Sequence, residues 1–142
     1  GTSVHKIIKI KKMLNQIDII FLNKAELIKL TNIDSIERGV KKILRINNKI
    51  KIVATNSKNN VIYGDNKSII KLKPPKIKVK NENGAGDALA GMMLYMLVKG
   101  YNKEQILKYS VACGSYYANG NKLSSKKDLL KIKNISRRVK LK

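Results

Sequence analysis

Gly84-Ala85-Gly86-Asp87 opens an apolar stretch, and its residue types suit phosphoryl chemistry. Small residues let the backbone turn sharply and present consecutive amides. Those amides, with the positive end of the helix that the stretch predicts, would cradle developing negative charge. Asp87, in the first turn, carries a carboxylate where the dipole favours one. Beside a substrate hydroxyl it can accept a proton while the amides hold phosphoryl oxygens. A tight loop with a favourable N-terminal acid is the plainer alternative for so short a pattern.

Two further groups have residues of the right kind. Asn23 and Glu26 follow a β-rich run and lie three apart, on one side of an opening helical turn. An amide and a carboxylate there can order water around Mg²⁺, which prefers oxygen ligands and keeps several waters. The same spacing is also that of a capping box, with Asn23 as cap and Glu26 reaching back. Thr55-Asn56-Ser57 comes just after a second β-rich run, and the ends of parallel strands are where α/β proteins place ligands. A polar turn would look the same.

The elements that must position these groups follow from periodicity. Val4 to Gln16 has helical spacing, with Ser3 as a possible cap. Asp18 to Leu22 and Ile50 to Thr55 read as buried parallel strands. Lys24 to Leu30 predicts a short helix. Asp34 or Ser35 opens another, with Ile36, Val40, Ile43 and Leu44 on one face. Asn59 to Tyr63 and Ser68 to Leu72 predict a hairpin around Gly64-Asp65-Asn66, and Ile77 to Lys80 one more strand. Gly86 to Lys99 reads as a buried apolar helix stopped by Gly100, and Lys103 to Ala118 as a second, stopped by Asn119-Gly120. Ser124 or Ser125 caps a last helix through Ile132, and the basic tail Lys133 to Lys142 is expected to fray. This order is that of an α/β layered sheet.

Composition narrows the chemistry. The single cysteine, Cys113, excludes an intrachain disulfide and a cysteine-based zinc cluster, and the lone His5 argues against histidine metal or triad chemistry. Carboxylates, hydroxyls, amides and backbone dipoles remain. No apolar run is long enough to cross a bilayer, no secretion-signal pattern stands at the N-terminus, and a reducing cytoplasm is the expected compartment. The net charge is +22, from 31 basic and 9 acidic residues. Attraction to a polyanion is one reading of that charge. The other is compositional, because lysine, isoleucine and asparagine dominate and share AT-rich codons. Arginines are limited to Arg38, Arg45, Arg137 and Arg138, and Phe21 is the single Phe in a chain without Trp. That pattern argues against specific nucleic-acid readout.

Taken in order, strand, Asn-x-x-Glu, helix, strand, Thr-containing turn, hairpin, Gly-Ala-Gly-Asp and two apolar helices, the chain resembles the C-terminal half of the PfkB (ribokinase-like) carbohydrate and nucleoside kinases. Ser3 to Lys6 with Ile17 to Glu26 is similar to the stretch through the family's Asn-x-x-Glu motif. Asn83 to Gly91 is similar to its second signature. The resemblance covers residues 1–120 of a single domain, 1–142, with 121–142 as a basic extension. It implies the C-terminal portion of a three-layer α/β/α ribokinase-like fold, and ATP-dependent phosphorylation of a sugar or nucleoside hydroxyl with Mg²⁺. Similarity around Ser3 to Lys6 leans toward pseudouridine-kinase-like members.

By the same resemblance Asp87 is the catalytic base, and Gly84, Ala85 and Gly86 form the anion hole. Asn23 and Glu26 position Mg²⁺ through water. Thr55 and Ser57 lie by the ATP phosphates, and Ala112 and Gly114 in the helix beside adenine. The sequence departs from the family at Asn81 and Glu82, where Asp-Thr or a similar pair is usual. It departs again at Ser57, where glycine is usual, and at Val111, where Asn is frequent. The family's N-terminal half, with its acceptor pocket, has no counterpart in these residues. The expected partners are therefore a sugar or nucleoside, that missing half or a homodimer partner, with neither a specific nucleic acid nor a membrane. A non-catalytic remnant or partner module of a split kinase is the second reading, and a nonspecific polyanion-binding protein the third.

Overall fold

The computed structural model describes residues 4–56, 60–81 and 83–141, with side chains described from Ile8 onward. Among the described residues six helices and five strands follow one another in the order α1 (Val4–Leu14), β1 (Ile19–Asn23), α2 (Lys24–Thr31), α3 (Ile36–Ile46), β2 (Lys51–Thr55), β3 (Val61–Gly64), β4 (Ile69–Lys73), α4 (Ala85–Lys99), α5 (Lys103–Ala118), α6 (Lys126–Ser136) and β5 (Lys140–Leu141). The sheet runs in the order β1-β2-β3-β4-β5. The chain divides into two compact units, residues 1–55 with 62–70 and residues 56–61 with 71–142.

The first unit is a small α/β body. β1 and β2 are parallel, with Ile19 opposite Lys51 and Asn23 opposite Thr55. β3 turns back antiparallel on β2. A parallel pair needs a crossover, and α2 and α3 supply it. Leu14, Leu27, Val40, Ile43, Ile50, Ile52, Ala54 and Ile62 form one buried cluster. The expected face of α3 is therefore its inner face, and Ser35 is its cap, its hydroxyl accepting from Arg38 N–H. Gly64 lies in β3, not in the turn. Its missing side chain admits α3, since a Cβ there would stand 2.7 Å from Val40 Cγ1. Asp65 makes the turn, accepting from the amides of Lys67 and Ser68 at 2.9 Å each.

The second unit is mainly helical. α5 packs against both α4 and α6 and buries Ile106, Leu107, Val111, Ala112, Cys113 and Tyr116. Burial pushes the Cys113 thiol up to about 11, which keeps it neutral and unreactive at ordinary pH. α4 ends at Gly100, where φ is +78°. The expectation that α4 is a buried helix holds for one side alone. Leu89, Met93 and Met96 are buried, whereas Leu94, Tyr95 and Val98 are exposed, Val98 by 86%.

Two expectations fail. Ile77–Lys80 is irregular, not a strand. Pro74 and Pro75 bring no amide donors to a ladder, and the groups beyond them bond to the C-terminal part of the chain. Lys80 N–H donates to Ala118 O at 2.8 Å, Asn119 Nδ2 to Lys78 O at 2.7 Å, and Arg138 Nη2 to Lys76 O at 3.3 Å. The basic tail does not fray either. α6 continues to Ser136, Val139 is 3% exposed, and β5 pairs antiparallel with β4 through Leu72–Leu141 and Lys73–Lys140. Burial of Ile132 and Val139 anchors a segment whose charges read as solvated tail.

Candidate active site

In the second unit the candidate anion cradle begins at Gly84, which holds φ +83°. A left-handed backbone favours glycine, and space demands it as well. A Cβ would stand 2.8 Å from Tyr117 Cε1, so the ring of Tyr117 underlies the turn. α4 has no side-chain cap, and its first intrahelical bond runs from Ala88 N–H to Gly84 O at 2.9 Å. The amides of Ala85, Gly86 and Asp87 precede that bond and belong to the orphan donors of a helix start. α2, α3 and α5 each take a side-chain oxygen at this position instead. Nothing lies within 4 Å of where a Gly86 Cβ would be, and both Gly86 and Asp87 are exposed. A ligand oxygen therefore has open access to the donors and to the carboxylate.

Several residues to which the sequence assigned no site role hold this corner. Asn81 Oδ1 accepts from Asn83 N–H at 3.0 Å, an Asx turn that feeds the chain into Gly84. The Asn-x-Asn spacing was the available signal. Tyr117 and Asn119, at the end of α5, brace the turn and the preceding strap; their role depends on contacts far away in sequence. Gly114 is buried with its would-be Cβ 3.2 Å from Ala85 O and 3.4 Å from Leu89 Cβ, so its smallness lets α5 approach the start of α4. Ala112 is fully buried within α5. Glu82 and Ser57 lie outside the described residues.

The first unit brings Asn23, Glu26 and Thr55 to one place. Asn23 and Thr55 are register partners at the carboxyl ends of the parallel strands β1 and β2. Asn23 and Glu26 form the capping box: Asn23 Oδ1 accepts from Glu26 N–H at 2.8 Å, and Glu26 Oε2 accepts from Asn23 N–H at 3.0 Å. This arrangement occupies one oxygen of each residue. The second carboxylate oxygen of exposed Glu26 suits an outer-sphere role toward a hydrated cation, where Mg²⁺ typically keeps its waters. No group of three His, Cys, Asp or Glu residues able to hold a metal directly exists among the described residues. The donor set therefore fits Mg²⁺ held through water and does not fit a closed protein cage.

In the second unit, Asp128 has a strongly perturbed carboxyl. The Tyr116 hydroxyl donates to it, and the amides of Ser124 and Ser125 donate at 2.9 and 2.8 Å. The Tyr116 hydrogen bond, followed by these amides, holds it below the usual carboxylate range. Its geometry is that of a cap on α6. No helix among the described residues is long and apolar enough to cross a membrane.

Comparison with known proteins agrees with the ordered motifs. The pfkB family carbohydrate kinase profile matches residues 5–124. The ATP-dependent 6-phosphofructokinase isozyme 2 of Escherichia coli (strain K12) is 27% identical over 105 residues, which are 72% of this chain and 34% of that protein. A candidate phosphofructokinase from Staphylococcus aureus aligns with TM-score 0.76 and 26% identity over 93% of this chain and 44% of its own. The phosphofructokinase-2 from Escherichia coli in complex with substrates and products aligns with TM-score 0.76 and 25% identity, over 96% of this chain and 46% of its own. The chain thus spans less than half the length of these relatives. A mixed α/β fold shared with these kinases and a family match over most of the sequence together mean that the chain belongs to the pfkB family of carbohydrate kinases.

Proposed function

We propose that this chain supplies the phosphoryl-transfer side of an ATP-dependent kinase acting on a sugar or nucleoside hydroxyl. The observation that carries the reading is the start of α4, where an uncapped helix end with left-handed Gly84 exposes donors beside the Asp87 carboxylate. Asp87 is the base that takes the proton of the acceptor hydroxyl. The Ala85, Gly86 and Asp87 amides hold the phosphoryl oxygens, donors already in place as negative charge develops. Thr55 and Ser57 serve the nucleotide phosphates, and Ala112 and Gly114 the helix beside the base of the nucleotide. Glu26, positioned by Asn23, orders water around Mg²⁺. The metal, when bound with the nucleotide, neutralises phosphate charge. The residues 1–142 act as one family domain, 1–120 carrying the motifs and 121–142 a basic extension. The location that goes with this reading is the cytoplasm, where a single free cysteine stays reduced.

The test is transfer of the γ-phosphate of Mg-ATP to a panel of sugars and nucleosides. Asp87→Asn is expected to lower turnover by about 10²–10⁴-fold with an unchanged thermal midpoint; retained turnover overturns the assignment. A second reading, a non-catalytic remnant or one piece of a split kinase, follows from the departures at Asn81 and Val111 from the residues usual in the family. It predicts no calorimetric heat with Mg-ATP at millimolar concentration.

A further inference from the structure

A cavity of about 750 Å³ in the first unit is lined by none of the candidate site residues named above. Its size is that of small-molecule sites, roughly 300–1,000 Å³. Three helices contribute to it near their C-terminal ends: α1 through Ile10, Lys11 and Leu14, with Asn15 after it, α2 through Lys29 to Thr31, with Asn32 after it, and α3 through Lys42, Ile43, Arg45 and Ile46. Ile10, Leu30, Ile33 and Ile46, all partly exposed, are its apolar lining. Among the described residues, Lys11, Lys29, Lys42 and Arg45 are its charged lining, and no carboxylate lines it.

Three helix C-termini meeting at one place present partial negative charge, about half a unit each. Some of the cations answer that charge; Lys42 Nζ donates to Thr31 O at 2.9 Å, closing the end of α2. The four cations exceed what three half-charges require. The surplus is about two to three positive charges beside an apolar lining. A cluster built only to satisfy helix ends would need two.

We propose that this cavity binds a small organic anion with an apolar body and a phosphomonoester-like head. A carboxylate brings one negative charge, whereas a phosphomonoester brings about 1.5 to 2 and matches the surplus better. The apolar body covers the side chains of α1 and α3, and Lys11, Lys29 and Arg45, all exposed, close on the head group.

The test is calorimetric titration of the full chain with 1-naphthyl phosphate, with 1-naphthol and inorganic phosphate in parallel. The ester is expected to bind one-to-one and about tenfold or more tighter than either fragment. Lys29→Gln with Arg45→Gln, at exposed positions, is expected to weaken ester binding at least tenfold and leave naphthol binding and the thermal midpoint unchanged. Lys126→Gln with Lys127→Gln, which removes the same charge from α6, is expected to change ester affinity less than twofold. Equal affinity for inorganic phosphate and the ester, no loss in the Lys29/Arg45 variant, or equal losses in the two double variants would each overturn the proposal.

Discussion

At the scale of single residues, function and stability use the same device in opposite ways. An oxygen at a helix start satisfies orphan amides, as Asn23, Ser35 and Asn102 do for α2, α3 and α5. At α4 a glycine stands in that place, and the donors it leaves are those of the proposed anion cradle, at some cost in helix stability. Asp128 shows the stabilising use. Its carboxyl is depressed by Tyr116 and the Ser124 amide, so the folded state binds a proton less readily than the unfolded one. Stability from this group is therefore complete above the unfolded pKa of about 3.9 and is lost as pH falls toward the depressed folded value. Asp128→Ala is expected to lower the thermal midpoint at pH 7, with the gap to the parent narrowing as pH drops below about 4. A gap independent of pH would refute this assignment.

At the scale of elements, close approach decides which residue types are tolerated. β3 meets α3 at Gly64, where a Cβ would be 2.7 Å from Val40 Cγ1 and 3.3 Å from Leu44 Cδ1. Val40 is fully buried and cannot swing into solvent. Gly64→Ala is therefore expected to destabilise by about 1–3 kcal/mol, as overpacking does. Val40→Ala leaves a void that the new methyl can occupy, so the double variant should be destabilised less than the two single costs combined. Urea unfolding of the four proteins measures this, and strict additivity would show that the steric argument is wrong. Gly114 plays a comparable part between α5 and the start of α4, which makes the site geometry a consequence of helix packing.

At the scale of the molecule, charge dominates. A surplus of 22 positive charges on 142 residues destabilises compact states through self-repulsion. Among the described residues, the ion pairs Lys41–Glu37 and Lys108–Glu104 are exposed i,i+4 contacts and offset little of it. The Debye length shortens from about 10 Å at 0.1 M salt to about 3 Å at 1 M. The thermal midpoint should accordingly rise between those NaCl concentrations. A flat or falling midpoint would mean that the charges are already balanced. The same charge attracts nucleotides and any other polyanion, so salt-sensitive RNA binding alone would say little about function.

The sequence by itself determined what short-range rules govern. α5 spans the expected Lys103–Ala118, α4 stops at Gly100, and the Asn23–Glu26 pair makes its box, because caps and periodicity act within one or two turns. The ordered Asn-x-x-Glu and Gly-Ala-Gly-Asp motifs likewise sufficed to identify the family. Tertiary structure decided matters that depend on partners distant in sequence. Gly64 reads as a turn residue until α3 lies on it, and Ile77–Lys80 reads as a strand until the end of α5 takes its backbone bonds and Arg138 that of Lys76 before it. Lys133–Leu141 reads as a frayed tail until Val139 is buried and β5 meets β4. The support of Gly84 by Tyr117 and the meeting of three helix ends around a basic cavity have the same origin. Hydrogen bonds and excluded volume act between neighbours in space, and the sequence names those neighbours only once the chain has folded.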